Sequence, residues 1–126
     1  MKHILIIDDA KEVRFLLSRL FEEQDVKVSV AKNGIEGIEA FEKNKPDMVF
    51  SDIEMPEMGG IPFAKYIYEN HQTRISLITA TPLDVLPEEY FYSPGVKNII
   101  HKSAFVEDIT PMLNELNKRN EQIPEL

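Results

Sequence analysis

Short apolar runs that stop abruptly at an acidic, hydroxyl or basic residue set the strongest limit on how this chain folds. Residues 4–7 (ILII) end at Asp8-Asp9, and residues 48–50 end at Ser51-Asp52. Residues 75–78 end at Thr79-Ala80-Thr81, and residues 96–100 end near His101-Lys102. Runs this short suit strands covered on both faces better than buried helices. One more run, 26–31 (VKVSVA), alternates and carries three valines, as a strand does.

Between these runs the apolar period becomes helical. Val13, Leu16, Leu17 and Leu20 predict one inward helix face after the tandem acids, with Asp9 and Glu12 placed to cap its start. Asn33-Gly34 precedes a second helix over 35–44, where Ile35, Ile38 and Phe41 share a face with Ala40 nearby. Pro46 closes that helix. The loop IEMPEMGG leads into a third helix over 62–68, with Ile61, Ala64, Tyr66 and Ile67 as its apolar residues. The segment 82–94 (PLDVLPEEYFYSP) carries three prolines, so its helix is expected to be short or irregular, near 88–92. A last helix is expected over 106–119, with Phe105, Ile109, Met112, Leu113 and Leu116 inward and Pro111 limiting its start. Strands alternating with helices predict a single doubly wound α/β domain, a five-stranded parallel sheet with helices on both faces. A length of 126 residues suffices for one such core without staples. The domain is expected to span 1–120, with 121–126 a frayed tail.

Composition narrows the function. The chain has no cysteine, which excludes a disulfide framework, a thiol nucleophile and cysteine-ligated zinc or iron–sulfur. A formal net charge of −8 argues against broad attraction to nucleic acid or anionic membrane. No apolar stretch approaches the roughly 20 residues of a spanning helix. The start breaks into acids too early for a signal peptide, so a cytoplasmic protein with no membrane insertion is expected.

In a parallel sheet the polar strand ends lie along one carboxyl edge, where open α/β sheets bind ligands. Asp8, Asp9 and Asp52 would crowd there and repel one another. A hard divalent cation relieves that crowding. Three carboxylates without histidine or cysteine suit Mg²⁺, or Mn²⁺, better than zinc. Thr79 and Lys102 are not natural ligands of such an ion. A hydroxyl and a point charge suit the oxygens of a transferred phosphoryl group, whose transfer depends on positioning and charge neutralisation. An aspartate can itself be the nucleophile, forming an aspartyl phosphate. Asp52 is the best candidate because it stands alone after its strand, while Asp8 and Asp9 form a tandem suited to holding the ion. His3, His71 and His101 share no metal-like spacing and read as surface residues, although His101 adjoins the site. Gly59-Gly60 read as the turn out of the acidic loop.

The segments ILIIDDAKEVR, AKNGIEGIEAF, PDMVFSDIEMPEMGG, SLITAT and GVKNIIHKSAF, in that order, resemble the receiver domain of two-component response regulators. The resemblance runs from Ile4 to about Arg119. It implies a flavodoxin-like strand order 2-1-3-4-5 and a phospho-accepting Asp52. It implies that Asp9 ligates Mg²⁺ directly, that Asp8 helps partly through water, and that Asp52 and the backbone carbonyl of Glu54 complete the protein ligands. Thr79, with the backbone N–H of Ala80, would bind one phosphoryl oxygen. Lys102 would pair with another, and with Asp52 before phosphorylation. Glu54 and Thr81 resemble the variable positions that tune the lifetime of the phosphorylated state. The donor would be a histidine kinase or phosphotransfer protein, and the output a changed affinity for a downstream protein partner. Such domains catalyse their own phosphorylation and dephosphorylation without being turnover enzymes.

Two positions depart from the family pattern. Ser103 follows Lys102 where proline, often cis, is usual, and Ile99 stands where an aromatic is usual three residues before the lysine. Tyr90, Phe91 and Tyr92 are crowded enough to predict a partly exposed aromatic patch. Only seven residues follow Arg119, so a stand-alone module is expected. The alternative to a phosphorylation switch is a protein-binding module on the same fold that works without phosphorylation. A small hydrolytic phosphatase using the same carboxylates is disfavoured by the lack of lid or pocket elements.

Overall fold

The computed structural model describes residues 2–104. Its strands are β1 (His3–Ile7), β2 (Lys27–Ala31), β3 (Met48–Asp52), β4 (Ile75–Thr79) and β5 (Val96–His101). Its helices are α1 (Lys11–Glu22), α2 (Gly34–Asn44) and α3 (Gly60–His71). All strand pairs are parallel, in the order β2-β1-β3-β4-β5. This is the expected architecture and strand order.

The unbroken apolar runs have a direct physical reason. In β1, Leu5 and Ile7 face a core formed with α2 and α3, while Ile4 and Ile6 face the opposite core, on which α1 packs. A central parallel strand therefore needs apolar side chains at every position. Phe21 of α1 stacks on Phe50 of β3 with ring centroids 5.5 Å apart. Burying each of these side chains contributes about 2–3 kcal/mol. The edge strand β2 does not keep the alternation its sequence suggests: Lys27 and Val30, on opposite faces, are both exposed, and only Ala31 is buried.

Several local expectations are corrected. Asp9 does not cap α1. Its N-cap is Ala10, with no side-chain cap, and the Ala10 N–H donates instead to Asp8 Oδ1 at 2.9 Å. Leu16 is 67% exposed, because the buried stripe of α1 is centred on Leu17 and Phe21 with Val13 and Leu20 beside it. Ile35 of α2 is likewise exposed, and Phe41 supplies that helix's buried aromatic. The third helix starts two residues before Pro62 and runs on to His71. Proline fits its first turn because the N–H it lacks would have had no intrahelical partner there.

Residues 82–94 form two short 3₁₀ turns, Leu83–Val85 and Glu88–Tyr92, rather than an α-helix. Leu86 is buried between them, Tyr90 is half-buried, and Phe91 and Tyr92 are exposed, so the expected aromatic patch is present. No helix of the described residues is long and apolar enough to cross a membrane. The helix expected over 106–119, with its inward residues and Pro111, and the tail 121–126 lie outside the described residues.

Candidate functional site

The sheet register assembles the site. Ile7 pairs with Ser51, so Asp8 and Asp52 lie side by side at neighbouring strand ends. Asp52 pairs with Ile78, and Thr79 pairs with His101, which puts Lys102 one residue beyond the same edge. Gly60 permits the loop after Asp52 to close back on β3. Its N–H donates to the Ile53 carbonyl at 2.8 Å, and a Cβ there would overlap the Asp52 carbonyl oxygen. The tight approach, and not a left-handed backbone, is what requires glycine at this position.

Asp8, Asp9 and Asp52 each offer a carboxylate oxygen within 4.8 Å of the others. Asp8 is fully buried, Asp52 is nearly so, and Asp9 is exposed. Asp52 Oδ1 accepts the Ile53 N–H at 2.9 Å, which fixes the plane of its carboxylate. Lys102 Nζ lies 2.8 Å from Asp8 Oδ2 and 3.4 Å from Asp52 Oδ2. The expected pairing with Asp52 is therefore shared, and its shorter arm goes to Asp8. That arm is an ion pair whose angles fall outside good hydrogen-bond alignment, and no other group among the described residues donates to the buried Asp8 Oδ2. An under-satisfied buried carboxylate oxygen beside two further carboxylates fits a hard, oxygen-seeking cation.

Burial is the main reason the Asp52 carboxyl is pushed up to about 6, and the neighbouring Asp8 charge adds to it. Lys102 and the Ile53 N–H offset only part of that rise. Burial alone would lower the Lys102 ammonium, but its contacts with Asp8 and Asp52 outweigh this and hold it above its ordinary value. One cation is thus shared by two carboxylates that crowd each other.

The β4–β5 side of the site is built differently. Thr79 is buried, and its Oγ1 accepts the Thr81 N–H at 3.0 Å, leaving the hydroxyl proton available to another acceptor. Ala80 and Glu54 are exposed, and Thr81 is half-buried. The described residues contain no cis peptide bond, so Lys102–Ser103 is trans, and Lys102 still reaches both carboxylates. Ile99 is buried in the core facing α2 and α3, with Tyr90 packed against the same cluster.

Two participants escape a reading of the residues alone. Arg14 Nη1 donates to the Asp8 carbonyl at 2.8 Å, tying α1 to the end of β1. His101 bonds to both Ala80 and Ser103. Only its place beside Lys102 hinted at this.

Residues 4–114 match the family model described as the response regulator receiver domain. The chain is 32% identical over 119 residues to the chemotaxis protein CheY of Thermotoga maritima, covering 93% of this chain and 98% of that protein. Other curated relatives are much longer. The chain covers only 23% of a protein-glutamate methylesterase/protein-glutamine glutaminase 3 of Hahella chejuensis, at 35% identity over 79 residues. Among solved structures, the response regulator TrrA of Thermotoga maritima, in complex with Mg²⁺–BeF, is similar at 27% identity and a TM-score of 0.80, covering 92% of this chain and 99% of that one. The receiver domain of Francisella response regulator 1452 is similar at 25% identity and a TM-score of 0.81, covering 95% of this chain and 99% of that one.

Proposed function

The chain belongs to the response regulator receiver domain family, and we propose that it is a phosphorylation-dependent switch that accepts a phosphoryl group on Asp52. The observation that carries this reading is the gathering of Asp8, Asp9, Asp52 and Lys102 at one sheet edge, with Thr79 at the adjoining strand end. The donor is a histidine kinase or phosphotransfer protein, and the output is a changed affinity for a protein partner. The setting is the cytoplasm.

Asp8, Asp9 and Asp52, with the Glu54 carbonyl, would hold Mg²⁺, or Mn²⁺ in its place, and the bound ion would neutralise charge on the transferring oxygens. Asp52 supplies the nucleophile. One of its carboxylate oxygens bonds to phosphorus as the bond from phosphorus to the donor breaks. Its carboxyl is pushed up to about 6, so the reactive carboxylate dominates at pH 7. Lys102 neutralises one phosphoryl oxygen, and its shared position lets it move from carboxylate to phosphoryl without leaving the site. The Thr79 hydroxyl donates to another oxygen, with the Ala80 N–H beside it. Glu54 and Thr81 flank the path of the water that later hydrolyses the acyl phosphate.

The test is incubation with acetyl phosphate and Mg²⁺, followed by intact-mass measurement. Wild type should gain one phosphoryl group, and Asp52→Asn should gain none. An unmodified wild type, or an equal gain by the variant, would leave a phosphorylation-independent binding module as the better account.

A further inference from the structure

We propose that His101 is a positioning residue that couples Lys102 to the Thr79 hydroxyl through a hydrogen-bonded relay across the β4–β5 edge. This rests on the phospho-acceptor reading of the site.

The partners of the ring fix its tautomer. Ser103 N–H donates to Nδ1 at 3.1 Å, so Nδ1 is an acceptor. The Ser103 hydroxyl lies 2.7 Å from the same nitrogen and donates to it. Nε2 faces the Ala80 carbonyl at 3.0 Å, and a carbonyl only accepts, so Nε2 carries the proton. In the neutral Nε2–H form the two Ser103 donors share the single Nδ1 lone pair, and Nε2–H donates to the Ala80 carbonyl.

The next link lies in one peptide plane. The carbonyl held by His101 belongs to Ala80, and the N–H of that same peptide unit belongs to Thr81. That N–H donates to Thr79 Oγ1 at 3.0 Å. Orienting the Ala80 carbonyl therefore orients the donor that holds the Thr79 oxygen. At the other end, the bond from Ser103 N–H fixes the peptide immediately after Lys102, and so the base of the lysine stem. The relay runs from Ser103 through the imidazole and the Ala80–Thr81 peptide to Thr79. Thr79 and His101 are register partners in adjacent strands, so the imidazole needs no long loop to reach across. Neither phosphoryl-binding group has to be aligned afresh when a phosphoryl group arrives.

The probes are acetyl phosphate with Mg²⁺, read by mass over time, and Mg²⁺ alone, read by titration. His101→Ala should slow phosphorylation about tenfold, within the up to about hundredfold loss that a small misplacement of reacting groups can cause. Its Mg²⁺ affinity should stay within about twofold of wild type, because the acidic half of the site is untouched. His101→Gln can keep a donor toward the Ala80 carbonyl and should recover part of the rate. Phosphorylation of His101→Ala at the wild-type rate, or equal losses of rate and Mg²⁺ affinity, would overturn the proposal. The ¹⁵N shifts of the His101 ring in the wild-type chain are a separate readout, needing neither variant folding nor phosphorylation. The Nε2–H tautomer supports the relay, and the Nδ1–H tautomer refutes it. A wild type that takes no phosphoryl group would sink the functional reading, and the ring spectrum would still judge the relay.

Discussion

At the ends of β1 and β3 the site consists of carboxylates that repel each other, while at the ends of β4 and β5 it consists of groups that bond to each other. Asp8 and Asp52 are buried, and Lys102 is the one cation within 4.0 Å of either carboxylate among the described residues. Thr79, Ala80, Thr81, His101 and Ser103 are instead linked by hydrogen bonds of 2.7–3.1 Å, the Thr81 N–H donating to Thr79. The first half stores unfavourable electrostatics that a cation can relieve. The second half supplies a fixed frame against which that relief takes place. A switch needs both, since repulsion alone would only loosen the edge and bonding alone would leave nothing to respond.

The largest expected effect tests the repulsive half. An unfolded aspartate titrates near 3.8, and folded Asp52 titrates near 6. Below both values it is protonated in either state and costs nothing. Above both it is ionised in either state, and the folded chain bears the cost of the buried charge. Stability is therefore lost as pH rises through this interval. At about 1.4 kcal/mol per pH unit the loss reaches about 3 kcal/mol. In chelator-treated buffer, urea denaturation of wild type and Asp52→Asn from pH 4 to 7 should show their difference moving by about 2.4 kcal/mol in favour of the variant, the rest having passed below pH 4. A difference that stays flat with pH would mean that the Asp52 charge is not strained by folding.

The next effect concerns the shared cation. Lys102→Met leaves Asp8 Oδ2 buried without its 2.8 Å partner. Stripping one partner from a fully buried pair costs about 3–5 kcal/mol. Here the Lys102 side chain is 26% exposed, so about 2 kcal/mol at neutral pH is expected. Metal-free denaturation measures it. An unchanged midpoint would show that solvent already screens the pair.

Mg²⁺ should act on the same half by mass action on the folded state. At a concentration tenfold above its Kd the gain is about 1.4 kcal/mol. Thermal melts should show a larger Mg²⁺-induced rise for wild type than for Asp52→Asn, which has lost one of the carboxylates within the 4.8 Å cluster. Equal rises would place the ion elsewhere.

The two halves also differ in how far they could be read from residues alone. Asp8, Asp9 and Asp52 were legible because each stands where an apolar run stops, and parallel topology brings such stops to one edge. Thr79 and Lys102 followed by the same rule. The relay was not legible, because it depends on strand register. The β4–β5 ladder shifts between Ile75 and Ser76, and that shift sets Thr79 opposite His101. No local pattern reports such a shift. The helix phases failed for a related reason. Leu16 and Leu17 both fit a 3.6-residue period, and only packing against Phe50 and the strands selects Leu17 and Phe21 for burial. Proline at 62 drew the expected start of α3 inward, although a first turn tolerates it. The irregular stretch 82–94 was legible because three prolines leave few other outcomes.

The smallest expected effect separates the backbone part of the bonded half from its side-chain part. Ser103→Ala removes the hydroxyl at 2.7 Å from His101 Nδ1 but keeps the Ser103 N–H bond at 3.1 Å. The ring retains an acceptor role at Nδ1 and its donor role toward the Ala80 carbonyl. The hydroxyl is solvent-exposed, so water can replace it, and the stability change should stay under about 0.5 kcal/mol. Phosphorylation by acetyl phosphate should slow by less than about threefold, well short of the loss expected for His101→Ala. If Ser103→Ala instead matched His101→Ala, the hydroxyl rather than the backbone would be setting the ring. The frame around Lys102 would then rest on a side chain that solvent can compete for, and the contrast between the two halves of the site would weaken accordingly.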